Sequence, residues 1–348
     1  MKAFEELIQN TKKRSYSEYV SDNMEKEDQQ INLGVNYLNK MREKFREKAK
    51  VGFKSWKLGV ISDEMLETGN EILSSGKVSA VDGTEMVPFN LIQGMFCQVG
   101  IGSINYAMKE PEIDVQSITS KISIDITPEE LFMALIDRTK SREETKDVSQ
   151  YDINAAMQYW ELEHALELQT DWVMLDGPLI RSDMVQYDLG RELLKKLVEK
   201  KKICGIIKGS KSRYYRVLGS FLENKEYMIV ENVLQFYEEG GFSQGRGLKD
   251  VERDFLEKYG TKILRGVYKA QNKFYLFEIH EDMFEEGISI IMADSLRNAR
   301  GVPFLIDLID GKLSAMFSNN VYQARMQNLL LSKKAFMDNI DERMLRSW

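Results

Sequence analysis

The first 75 residues read as polar and helical. Ile31, Val35, Leu38, Met41 and Phe45 recur at spacings of four, three, three and four, which predicts one apolar stripe along a helix. Such a stripe packs on its own domain or on a partner helix. Ser74-Ser75-Gly76 closes the helical region, and at Lys77 the pattern changes. KVSAVDGT is a short β-like run that stops at Asp-Gly, and similar runs follow near Met95–Ile101 and Ser117–Ile124. Pro128 opens a helix, with Thr127 as N-cap and Glu130 completing a capping box. A second helix spans about Ile153–Gln169. It is followed by WVMLDGPL, another apolar run ending in Asp-Gly, then a basic helix, then ICGIIKGS as a further strand. Residues 225–260 are mixed and contain the loop GGFSQGRG, while ILRGVYKA and FYLFEIHE predict a hairpin about Gln271–Asn272. From about Gly287 the chain is again mostly helical. Strands interleaved with helices predict an α/β fold, a mixed sheet covered by helices. The expected layout is a helical extension over 1–75, an α/β domain over 76–317 with an insertion at about 220–260, and a helical tail over 318–348.

Composition narrows the class. Of 348 residues, 43% are apolar and 30% charged, a balance that folds and can bury a large core. No apolar run approaches the roughly 20 residues that span a bilayer, and the N-terminus lacks the apolar core of a signal peptide. Cys97 and Cys204 are too few for a disulfide framework or a zinc site. These features together point to a cytoplasmic protein. The net charge of −7 argues against nucleic acid, but its distribution does not. Residues 191–217 gather Arg191, Lys195, Lys196, Lys200, Lys201, Lys202, Lys208, Lys211, Arg213 and Arg216 against Glu192 and Glu199. This is either a solvated helix face or a phosphate-binding surface, and the interleaved Tyr214 and Tyr215 add a means of stacking bases.

The candidate chemistry lies in carboxylates. Asp82 in SAVDGT and Asp176 in VMLDGPL both end an apolar strand before a glycine, which holds an acid at a sheet edge while the backbone turns away. On the helix before Asp176, Glu161 shares a face with Met157, Ala165 and Leu168, whereas Glu163 lies with Tyr159, Glu167 and Thr170. Glu161 therefore points inward and needs a cation or hydrogen-bond partner. His164 lies near the same face and reads as structural. In GVPFLIDLIDGKLSA, Asp307 and Asp310 stand three residues apart and share a face if a helix follows Pro303. Three or four converging carboxylates suit a hard cation such as Mg²⁺ or Mn²⁺, and two ions about 4 Å apart can drive phosphodiester hydrolysis. No Walker A motif and no H-E-x-x-H occur, and His164 and His280 alone leave little material for a histidine triad.

Taken in order, VDGT at Asp82, WELEHALEL, LDGPLI at Asp176, GIIKGSKS at Lys208 and GVPFLIDLIDGKL resemble the NurA nuclease family over about residues 77–315. The resemblance implies an RNase H-like catalytic domain and DNA hydrolysis dependent on Mn²⁺ or Mg²⁺. It also implies work beside a HerA-type hexameric ATPase that translocates DNA, in end processing or phage defence, and a homodimer. By the same resemblance Asp82, Glu161, Asp176 and Asp310 are the metal ligands, with Glu163 and Asp307 as rivals to the second and fourth. Lys208 would hold a phosphate near the scissile strand, and Lys200, Lys201, Lys202, Lys211, Arg213 and Arg216 would join it in contacting DNA. The competing reading is a catalytically silent partner docking on a motor ATPase through the Ile31–Phe45 stripe and the tail residues Leu329, Leu330, Leu331, Phe336 and Ile340. A third is an RNase H-fold nuclease acting on RNA or hybrids.

Overall fold

The computed structural model describes residues 34–37, 39–48, 56–85, 89–91, 94–119, 150–200, 202–209, 212–241 and 248–317, together with Asn328. The capped helix expected at Pro128, the FSQGRG part of the glycine-rich loop, the last part of the Ser117–Ile124 run and the leucine-bearing tail lie outside these residues, as do Ile31 and Leu38.

The chain divides into two compact units, Met1–Lys54 and Ser55–Trp348. In the first, residues 34–37 and 39–48 are helical; Val35 and Met41 are exposed and Phe45 is buried.

The second unit is built on a ten-stranded sheet. Its strands are β1 (Lys57–Val60), β2 (Val78–Glu85), β3 (Phe89–Leu91), β4 (Gly94–Asn105), β5 (Glu112–Thr119), β6 (Trp172–Asp176), β7 (Lys202–Ile207), β8 (Glu226–Asn232), β9 (Ile263–Ala270) and β10 (Lys273–His280). The order is β1-β8-β9-β10-β7-β6-β2-β4-β3, with β5 also pairing β4. β2, β6 and β7 run parallel, and every other pairing is antiparallel. The named helices are α1 (Asp63–Ser74), α2 (Gln150–Glu167), α3 (Ser182–Gln186), α4 (Asp188–Lys200), α5 (Arg213–Phe221), α6 (Val233–Phe236), α7 (Asp250–Lys258), α8 (Phe284–Leu296) and α9 (Phe304–Phe317).

Strand alternation explains why the central strands are apolar throughout. Val81, Val173 and Leu175 face a core shared with Ile153, Leu162 and Ala165 of α2 and Leu193, Leu194 and Leu197 of α4. Ala80, Trp172 and Met174 face the opposite core, shared with Ile288, Ile291 and Met292 of α8 and Leu305, Ile306 and Ile309 of α9. Parallel strands buried on both faces have no polar side to show. The hairpin expected at Gln271–Asn272 is present as β9 and β10, with Gln271 at a φ of 54° in the turn.

Two strands lie in stretches that the sequence pattern did not read as strand. Lys57–Val60 is strand rather than helix and pairs with β8, so the sheet takes in residues assigned to the helical extension. KLGV is too short to show a period of its own. The stretch expected as an insertion at about 220–260 likewise contains β8, which sits between β1 and β9. Its alternation, with Met228 and Val230 buried between the part-exposed Tyr227, Ile229 and Glu231, is the signature of a sheet member.

Candidate metal centre

Asp82 lies within β2 and Asp176 ends β6. Because Val81 is in register with Leu175 across this parallel pair, the two acids emerge side by side at the same end of the sheet. The third acid arrives from the far end of the chain. Asp82 pairs with Gly102 on β4, and a Cβ on Gly102 would stand 2.7 Å from Cδ1 of Ile309 on α9. Glycine there lets α9 settle onto the strands and brings Asp310 over Asp82. One carboxylate oxygen from each of Asp82, Asp176 and Asp310 lies within 4.8 Å of the other two. Lys208, the first residue past β7, donates from Nζ to both Asp176 and Asp310. A cavity of about 360 Å³ opens beside the acids, its wall including Gln158, Glu161, Phe236 and Arg265.

Asp307 is not part of this group. It accepts from Nη1 of Arg300 at 3.0 Å and Nδ2 of Asn298 at 3.1 Å. The helix after Pro303 forms as expected, but an offset of three residues turns a side chain by about 60°, enough to send the two acids to different neighbours. Glu163 is exposed, whereas Glu161 is 2% exposed and grips Arg181 through both oxygens. Glu161 thus has the cation its inward position demanded, and that cation is a guanidinium.

Mutual repulsion marks the cluster. Burial, then the charges of Asp176 and Glu161, push the Asp82 carboxyl up to about 8 against the pull of Lys208. Burial raises Asp176 to about 6 although Lys208 works the other way. Lys208 itself is held above the usual lysine range: burial would lower it, but Asp176 and Asp310 outweigh that. Since Asp82 ionises near 3.8 when unfolded and near 8 when folded, the folded state binds more protons between these values. The stability of the metal-free protein should therefore fall as pH rises from about 4 to about 8 and level off above. Urea melts across this range check the sign; a rise with pH would contradict the strained cluster.

The turn after Asp176 is held from several sides. Gly177 adopts a φ of 121°, and its N–H donates to Ile206 at 2.7 Å. Arg181 donates to the carbonyls of Asp176 and Pro178, each at 3.2 Å. Glu278, fully buried, accepts from the N–H of Ile180 at 3.1 Å and pairs with Arg265, while Tyr237 Oη donates to the Ile180 carbonyl at 2.9 Å. Gly205 on β7 lies under this turn, where a Cβ would come 2.5 Å from the Leu179 nitrogen and 2.6 Å from the Gly177 oxygen. Breaking the buried Arg265–Glu278 pair by Glu278→Ala should cost about 3–5 kcal/mol, measured by denaturant unfolding. A loss under 1 kcal/mol would show that the pair does not anchor the turn. Sequence reading passed over Arg181, Arg265 and Glu278. The last two were visible as charges inside apolar strands, Arg265 as one of two cations in ILRGVYKA and Glu278 as the single acid in FYLFEIH, where a buried charge requires a partner.

The basic stretch divides. β6 and β7 are parallel, with Trp172 opposite Lys202 and Asp176 opposite Ile206. Lys200 and Lys202 consequently sit at the end of the sheet away from the acids, about 13 Å along the strand at 3.3 Å per residue. Lys202 donates to Glu286 at 3.0 Å and lies 5.8 Å from the Trp172 ring centre. Lys201 and Lys211 fall outside the described residues, and Arg213 is exposed at the start of α5. Tyr214 is exposed, but Tyr215 is buried, bonded to Glu231 and accepting from Nε of Arg265 at 3.0 Å, which removes it from any stacking surface. His164 reaches Ser103 at 2.9 Å and Asp114 at 3.5 Å, a structural setting.

Aspartates from two neighbouring parallel strands, a third from a packed helix and a lysine set among them form an all-oxygen cluster of the kind that can hold a divalent cation. The NurA domain profile matches residues 76–314, and the chain belongs to the NurA family. A search of curated proteins finds no match. Among solved structures, NurA bound to dAMP and manganese is 11% identical, with a TM-score of 0.43 over 83% of this chain and 92% of that one. A further NurA crystal structure gives 11% identity and a TM-score of 0.44 over 82% and 94%. The catalytic domain of human endonuclease V gives 10% and 0.30 over 80% and 97%. Among the described residues no helix is long and apolar enough to cross a membrane.

Proposed function

We propose that this chain hydrolyses DNA phosphodiester bonds with Mn²⁺ or Mg²⁺ held by Asp82, Asp176 and Asp310. The observation that carries the proposal is the convergence of these three side chains, from β2, β6 and α9, within 4.8 Å. The donor set fits the ion: all-oxygen, anionic, and crowded enough that Asp82 keeps a proton until a cation replaces it. The bound ion would supply Lewis acidity, lowering the pKa of a water and offsetting charge on the phosphate. The remaining work falls to the protein. Asp82 must shed its proton as the ion binds. Lys208, on a short tether past β7, is placed to move from Asp176 and Asp310 onto a phosphate oxygen. The pins on the Asp176 turn hold its carboxylate in place during turnover.

DNA approaches, on this reading, from the end of the sheet that carries Lys208 and Arg213, with Arg216 on the same helix. Lys200 and Lys202, at the other end, lie away from the scissile bond. The proposal extends, on the family resemblance, to a HerA-type hexameric translocase as partner, a homodimer as the working form and a role in end processing or phage defence, and, on composition, to a cytoplasmic setting. The test is cleavage of end-labelled DNA by the purified chain, alone and with its translocase. Degradation in Mn²⁺, abolished by EDTA and restored by excess Mn²⁺, is expected. No cleavage with any divalent cation and the translocase present would refute the proposal and favour a regulatory partner.

A further inference from the structure

The cluster holds more than acids. Glu161 lines the cavity beside Asp82 and Asp176, the two aspartates that Asp310 joins, yet both of its oxygens are taken by Nη1 of Arg181, at 2.8 Å, and by its Nη2. Arg181 is 5% exposed and stays protonated at any accessible pH. It has little freedom to leave, since its Nε and Nη2 are also bound to the carbonyls of Pro178 and Asp176. A fixed positive charge therefore stands beside Asp82 and Asp176, where it satisfies the Glu161 carboxylate and feels the charges of both aspartates as well.

In two-ion phosphodiesterases a pair of divalent cations about 4 Å apart shares a set of bridging and terminal carboxylates. A second ion here would need Glu161 as a ligand and would have to displace or face the buried guanidinium. Charge points the same way. With all four carboxylates ionised, Arg181 and Lys208 leave two negative charges, which one divalent ion neutralises. We infer that this centre binds a single divalent cation per chain, and that the Arg181 guanidinium takes the electrostatic place of a second. Arg181 is accordingly a positioning residue: it withholds Glu161 from the ion and braces the Asp176 turn. The inference rests on the reading of Asp82, Asp176 and Asp310 as metal ligands.

The experiment is a Mn²⁺ titration of the full chain without DNA, followed by electron paramagnetic resonance, which counts bound ions and separates an isolated Mn²⁺ from a spin-coupled pair. The wild type should bind one uncoupled ion. Glu161→Gln, isosteric and still able to accept from Arg181, should also bind one, with a dissociation constant within about five-fold of wild type. Arg181→Met, if it folds, should free Glu161 and admit a second, coupled ion. A coupled pair in the wild type, loss of the ion in Glu161→Gln, or a single ion in folded Arg181→Met would overturn the inference. Because no DNA is present, the result is separable from the nuclease reading. One bound ion without any cleavage defeats only the latter, and cleavage with two coupled ions defeats only the former.

Discussion

Asp82→Asn and Asp176→Asn should each reduce DNA cleavage by about a thousand-fold or more, roughly 4 kcal/mol of lost transition-state stabilisation. The metal-free variants should nevertheless be at least as stable as the parent. Asp82 is 7% exposed, and its charge is opposed by burial and by the charges of Asp176, Glu161 and Asp310. An amide keeps the size, and can keep the 2.8 Å hydrogen bond accepted from the Gly83 N–H, while removing the repulsion. In the absence of metal the thermal midpoint of Asp82→Asn should therefore rise, while the stabilisation that the parent gains from Mn²⁺ should vanish. Paired melts with and without Mn²⁺, beside a cleavage assay, measure all three effects. A variant that cuts DNA at the parental rate would remove Asp82 from the chemistry. One that loses activity together with its fold would leave the acid a structural role only.

Lys208→Met should move two readouts in opposite directions. In the metal-free protein the Lys208 ammonium bonds both Asp176 and Asp310, so it competes with an incoming cation for the same oxygens. Removing it should tighten Mn²⁺ binding by about ten-fold or more, as expected when one unit charge leaves a partly shielded site. The same change should slow DNA cleavage by about a hundred-fold, because the phosphate loses its fixed cation. Calorimetric titration of Mn²⁺ and single-turnover cleavage separate the two effects. Weaker metal binding in Lys208→Met would show that the lysine supports the site rather than occupying it.

The legible parts of this protein were those whose signal is local. Asp82 and Asp176 could be singled out because each ends an apolar run at a glycine, and a parallel strand pair then places them side by side. The choice of Glu161 over Glu163 followed from helical geometry, since one face of α2 is apolar and the other polar. Asp310 and Asp307 could not be separated in this way. Their difference depends on how closely α9 approaches β4, and thus on Gly102, more than 200 residues earlier. The partner of Glu161 was equally hidden. Arg181 follows the Asp-Gly turn in sequence, but only the path of that turn folds its guanidinium back onto α2. The lysine run divides for a topological reason: Lys200, Lys202 and Lys208 are close in sequence, yet a whole strand lies between the first two and the third. β1 and β8 were missed because a short edge strand and a strand flanked by irregular segments show too few residues for a period to emerge.

The most direct test of the metal centre is affinity cleavage of the polypeptide itself. Fe²⁺, a ligand-for-ligand substitute for Mn²⁺ at hard oxygen sites, generates hydroxyl radicals with ascorbate and peroxide and cuts the backbone within a few ångströms of where it sits. Fragments ending near Asp82, Asp176 and Asp310, all suppressed by excess Mn²⁺ and absent in Asp176→Asn, are the predicted result. Cuts confined to other parts of the chain, or none that Mn²⁺ suppresses, would contradict a metal centre at these three aspartates.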